Sequence, residues 1–238
     1  SDEFINKELL LGFMSEKKKS EDVNKNDFVK FCIDRFRKTI KTDKINIKSN
    51  TPKAFVYIST PGSGQSSLIR KIIKDQGSGE VVSFLDEKID SKASVLDEML
   101  SINHTEYSDP AKLFAAVRKC LGSGVSVHID LRLTEKNTNN IFHLLNLLDS
   151  SIQGIRKSLT LSCRFGFKYN SRIVQKCRGI TDNFNLTFFD ECYDFGAIFN
   201  LFYNHADLKL SYISDGEEIP LDLMKAESEI LIEKILNI

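Results

Sequence analysis

The chain has 238 residues, with 33 lysines and arginines against 33 aspartates and glutamates, so it carries no net charge that would draw the whole surface onto nucleic acid. That length supports one sizeable α/β domain, or a domain with part of a second, without staples. The five cysteines, Cys32, Cys120, Cys163, Cys177 and Cys192, are odd in number and lack C-x-x-C spacing, which argues for a reducing compartment and against a disulfide framework or zinc site. No apolar run approaches the ~20 residues of a membrane span, the start resembles no targeting peptide, and the protein is expected to be soluble and intracellular. The absence of an initiating Met reads as the mark of a segment cut from a longer chain.

Apolar residues at Phe4, Ile5, Leu9, Leu10, Phe13 and Met14 predict a short docking helix, followed by a charged linker over Glu16 to Asp22; together these fill residues 1–26. Asp27 is placed to cap a helix through about Lys41. A strand follows at Phe55–Ile58, then a glycine turn and a helix over Ser66–Lys74. Further strands are predicted at Val81–Leu85, Val125–Leu131, Leu159–Cys163 and Asn185–Phe189. Helices are predicted at about Val95–Ile102, Asp109–Leu121, Thr138–Leu148, Asp194–Tyr203 and Leu221–Asn237. The alternation implies an α/β fold with a parallel sheet of about five strands flanked by helices over 27–203, and a partial helical lid over 204–238.

The stretch Ala54–Ile73 carries the chemistry. Laid over G-x-x-x-x-G-K-[ST], the first glycine falls on Ser59, Gly64 matches the second, Gln65 holds the lysine position and Ser66 the hydroxyl position. Pro61, Gly62 and Gly64 let backbone N–H groups and a helix N-terminus face an anion, and Ser66 would hold magnesium. A glutamine amide donates a hydrogen bond but neutralises nothing, and losing one charge-assisted bond costs roughly 1.5–3 kcal/mol. The candidate nucleotide pocket of Ser59, Gly62, Gly64, Gln65, Ser66 and Asp130 is therefore expected to be degenerate and vacant.

In a phosphate-loop ATPase of the AAA+ type, Asp130 would help hold magnesium and a glutamate would orient water, but Leu131 stands at the glutamate position. Ser162, Cys163 and Arg164 replace a polar sensor, and Arg178 falls where an arginine finger would sit. His104, His128, His143 and His205 form no metal constellation, His128 reads as a core histidine, and no serine–histidine–aspartate grouping is evident. The aromatics Phe184, Phe188, Phe189, Phe195, Phe199 and Phe202 read as core or, where exposed, as a partner groove.

Val56–Gly64, with Tyr57 and the Thr60-Pro61-Gly62 triplet, the Asp130 strand and Cys177-Arg178-Gly179 resemble the AAA+ base of the largest-subunit family of the eukaryotic origin recognition complex. With its lysine, glutamate and sensor positions altered, the chain looks most like the silencing paralogue within that family. That resemblance implies a catalytically inactive AAA+-like scaffold without cofactor or metal, neither hydrolysing nor using ATP. It also implies a nuclear, chromatin and telomere location, and nucleosomes or histones and another silencing regulator as partners. Two other readings stand beside it: a diverged nucleotide-dependent switch or slow ATPase, with Arg70, Lys71 or a partner supplying the missing charge, and a subunit of an origin-type DNA-loading assembly.

Overall fold

A strand whose two faces are both buried organises the molecule. In the computed structural model, which describes residues 9–15, 25–43, 53–85, 95–181 and 183–236, β1 (Ala54–Ser59) sends Val56 and Ile58 into the larger apolar cluster on one face of the sheet. Its Tyr57 enters a smaller cluster on the other face. Burial on both faces is what a central parallel strand requires, and it explains the near-continuous apolar run Ala54–Ile58.

The sheet has eight strands in the order β3-β2-β4-β1-β5-β6-β7-β8. Besides β1 these are β2 (Glu80–Phe84), β3 (His104–Tyr107), β4 (Val127–Arg132), β5 (Arg156–Ser162), β6 (Asn183–Thr187), β7 (Lys209–Ser214) and β8 (Leu223–Lys225). All neighbours pair in parallel except the terminal β7–β8 ladder. The α/β class and the flanking helices agree with the sequence expectation, whereas the sheet is larger than the five strands expected. The segment expected as a helical lid contains strand as well as helix: β7 and β8 extend the sheet past β6, and the last helix is confined to Ser228–Leu236.

The helices are α1 over residues 9–15, α2 (Lys25–Thr39), α3 (Gln65–Gln76), α4 (Val95–Met99), α5 (Pro110–Gly122), α6 (Thr138–Ser151), α7 (Phe167–Lys176), α8 (Phe195–Asn204) and α9 (Ser228–Leu236). Several boundaries are set chemically. Asp109 and Asp194 cap α5 and α8 by accepting from Ala111 N at 2.8 Å and Ala197 N at 2.9 Å. Gly77 ends α3 in the left-handed region, φ 83°, its N–H returning to Ile73 O. Phe13 of α1 packs edge-on against Phe28 and Phe31 of α2, and Phe36 of α2 meets Phe199 of α8 with ring centroids 4.3 Å apart. The docking-helix expectation at Phe4 and Ile5 and the charged linker at 16–22 lie outside the described residues.

Because β7 is an interior strand, its side chains are structural. Leu210→Ala, at a fully buried position, is expected to cost about 2–5 kcal/mol in urea unfolding; a residue of a detachable lid would cost far less.

Candidate functional site

The site lies where the parallel strands end, the usual position for ligands in α/β sheets. β1 runs into Thr60–Gly64, which turns into α3. Gly62 and Gly64 have φ of 79° and 70°. At Gly64 a Cβ would come within 2.9 Å of Phe188 Cε2, so the residue is required both by conformation and by close approach. The loop is braced from inside: Thr60 Oγ1 and Ser63 Oγ are 3.0 Å apart, Thr187 Oγ1 at the end of β6 donates to Ser63 O at 2.6 Å, and Leu133 N donates to Ser59 O at 2.6 Å.

The lysine position is occupied in an unexpected way. Gln65 is 3% exposed and turns under the loop, where Nε2 donates to Asp130 Oδ1 at 2.7 Å and contacts Tyr57 O and Leu131 O at 3.2 Å each. Its Oε1 is buried without a hydrogen-bond partner among the described residues. Ser66 Oγ donates to Asp130 Oδ2 at 2.8 Å and accepts from Arg132 Nη2 at 3.0 Å. Arg132 Nη2 also lies 4.0 Å from Asp130 Oδ2. The end of β1, the loop, the first turn of α3 and β4 thus place Ser59, Gly62, Gly64, Gln65, Ser66 and Asp130 at one strand edge, with Arg132 beside them. Leu131 has no exposed side chain and cannot act as a base.

Other expectations move. Arg178 follows α7 and precedes β6, which places it at the strand N-terminal edge, away from this chain's own loop; it is 69% exposed and lies 4.0 Å from Asp207. Arg70 is committed to Asp97, with bonds of 2.6 and 3.1 Å. Buried Lys71 is held by Ser214 Oγ at 2.9 Å, Gly216 O at 2.6 Å and Asp222 O at 3.3 Å, with burial lowering its pKa. Neither reaches the phosphate loop. His128 is a core residue stacked on Phe55 and Tyr57, bonded to Tyr57 Oη at 3.1 Å, and burial pushes its pKa down to about 3, leaving it neutral. Ser162 Oγ accepts from Arg164 N, and Arg164 lies over the Phe188 ring at 3.7 Å and forks onto Glu191. Among the described residues no cluster of metal-ligating side chains occurs.

The sequence reading passed over the exposed Asp190, and it took Phe188, at φ 53° against Gly64, only as one of a group of core or groove aromatics. Their signal was the tetrad Thr187-Phe188-Phe189-Asp190 leaving a strand. A hydrogen-bonded Ser83–His104–Asp97 chain also emerges, at 2.7 and 2.9 Å, contrary to the expected absence of such a grouping. Its serine is 5% exposed and Arg70 forks onto its aspartate, so it functions as a brace between β2, β3, α4 and α3.

Compared with solved structures, the chain is similar to FlhF complexed with GTP and Mg2+, with TM-score 0.78 and 13% identity over 98% of this chain and 93% of that one. It is similar to the cell division protein FtsY of Thermotoga maritima, with TM-score 0.71 and 17% identity over 96% and 81%. It is also similar to the chloroplast FtsY of Physcomitrella patens, with TM-score 0.76 and 13% identity over 96% and 81%. The fold is that of the FlhF and FtsY structures. No protein-family model and no curated protein sequence matches the chain. The AAA+ resemblance is thereby corrected: it rested on a local Thr-Pro-Gly-x-Gly loop, while the whole sheet follows the FlhF and FtsY pattern. The expectations drawn from it fall with it: the inactive scaffold, the non-enzyme, the nucleosome and silencing partners, and the nuclear location.

The brace predicts an acid response. Burial alone would raise the Asp97 pKa, but hydrogen bonds from Arg70 and His104 outweigh it and hold the carboxyl below its ordinary value. A depressed folded-state pKa contributes stability above the unfolded value of about 3.9, lost as pH falls through the lower folded value. Asp97→Asn should therefore be destabilised near pH 7 in urea titrations, and the gap to wild type should narrow below pH ~4; an unchanged gap would contradict the brace.

Proposed function

We propose that the domain is a nucleotide-dependent switch that binds a guanine nucleoside triphosphate at its strand ends and cleaves it slowly. The observation that carries this reading is the phosphate-loop geometry: Gly62 and Gly64 in left-handed conformation at the start of α3, and Ser66 bonded to Asp130 at 2.8 Å. Structures sharing the fold are described as complexes of FlhF with GTP and Mg2+ or GMPPNP and Mg2+, and of FtsY with GDP.

The base follows from chemistry at the neighbouring strand end. Guanine offers an N1–H and an exocyclic amino donor on one edge. Asp190 presents an exposed carboxylate just past β6, whose Thr187 and Phe188 already touch the loop. A carboxylate accepts both donors together, while the corresponding edge of adenine does not match it.

Hydrolysis would pass the γ-phosphoryl group to water, breaking its bond to the bridging oxygen and leaving a diphosphate and inorganic phosphate. The residues fit a magnesium ion in kind, since Ser66 Oγ and the Asp130 carboxylate are hard oxygen donors. Bound there, Mg2+ draws negative charge off the phosphates. The chain's own part is to orient the phosphates with loop amides and to exclude side-chain base catalysis at Leu131, whose absence typically costs 10²–10⁴-fold in rate.

In equilibrium titration, GTP is expected to bind roughly 10- to 100-fold more tightly than ATP, the worth of a charge-assisted bond. Asp190→Asn is expected to abolish that preference. Equal affinity for the two nucleotides, or no binding of either, would overturn the reading.

A further inference from the structure

Asp130 is 1% exposed, and a buried carboxylate that among the described residues accepts from the neutral Gln65 amide and Ser66 hydroxyl draws no balancing charge from either. Arg132 supplies it from the adjoining end of β4. Its Nη2 is 3.0 Å from Ser66 Oγ and 4.0 Å from Asp130 Oδ2. The side chain is nevertheless 52% exposed, so the guanidinium reaches from the buried pair out to the mouth of the loop.

Among the described residues, three other cations near the loop are engaged away from the phosphates. Arg70 is forked onto Asp97, Lys71 is sunk against β7, and Arg164 is forked onto Glu191. Gln65 cannot reach outward while its amide serves Asp130, Tyr57 and Leu131. A guanidinium carries five N–H donors in a planar fork suited to two phosphate oxygens.

Building on the nucleotide-switch reading, we propose that Arg132 has taken over the charge lost at Gln65, so that this chain grips the terminal phosphates with an arginine of its own and needs little divalent cation. The guanidinium stands beside the two oxygens that Mg2+ would take. Its positive charge offsets theirs and disfavours a second cation there. A nucleotide entering the loop then meets the glycine cradle on one side and Arg132 on the other.

The test is a four-way titration of GTP against wild type, Arg132→Ala, Arg132→Lys and Arg132→Ala/Gln65→Lys, each with Mg2+ and with EDTA, after circular dichroism shows the native fold. Wild-type affinity is expected to change less than about threefold on chelation. Arg132→Ala is expected to lose roughly 10- to 100-fold in EDTA and to recover part of that loss with Mg2+. Arg132→Lys should retain part of the affinity, and the double variant should regain it by restoring a charge at the lysine position. Wild-type binding that collapses in EDTA, or an Arg132→Ala affinity equal to wild type, would overturn this proposal while leaving the switch reading in place. No binding by wild type under either condition would overturn both.

Discussion

The carboxylate of Asp130 is the constraint around which the site is arranged. It sits at the end of a central strand, almost fully out of water, and a charge in that position must be hydrogen-bonded and balanced or the strand end could not close over it. Gln65 and Ser66 come from the first turn of α3 and Arg132 from β4 itself, so the same bonds that satisfy the charge fasten the phosphate loop to the sheet. The glutamine at the lysine position is therefore no simple loss. Its amide has been redirected to support the loop from below, and a lysine in that pose would stand against the Asp130 carboxylate with a charge of its own.

α3 is the element through which occupancy of the loop would be felt elsewhere. Its N-terminus is bonded to Asp130, Arg70 ties it to Asp97 and the Ser83–His104 pair, and Lys71 reaches through the core to the turn between β7 and β8. The Lys71–Ser214 bond is buried and the others are partly buried, and polar bonds taken out of water are costly to leave half made. A shift of α3 by a fraction of an ångström is thus opposed at three places, and any motion that does occur must carry β3 or the β7–β8 turn with it. This is a physical basis for switch behaviour in a chain whose catalytic groups are sparse.

Much of the central fold was legible because it rests on local rules. β1 announces itself as a doubly buried run, and the glycine turn and the helix after it follow from spacing alone. The misses have physical causes. β3 is the polar edge segment His104-Thr-Glu-Tyr107, β8 spans three residues, and α7 is a ten-residue helix lying in the gap left between two predicted strands. The apolar residues after Leu221 read as one helix, where the chain instead forms a strand and then a shorter helix. Within the site, Ser66 and Asp130 could be paired by motif, but Arg132 and Asp190 acquire meaning only when β4 and β6 deliver them to the same edge. The loop triplet pointed to the wrong relatives because a phosphate turn is a local solution that unrelated sheets can share; fold identity resides in the whole strand order.

Hydrogen–deuterium exchange of the intact chain, with GTP in EDTA set against ATP and against no nucleotide, tests the central claim most directly, because it reads where a ligand sits without requiring turnover. The account predicts that GTP slows exchange at residues 60–67, around 130–134 and at 187–190 even without divalent cation, and that ATP does so far less. Unchanged exchange in those three segments at saturating GTP, or protection confined to a distant part of the chain, would contradict it.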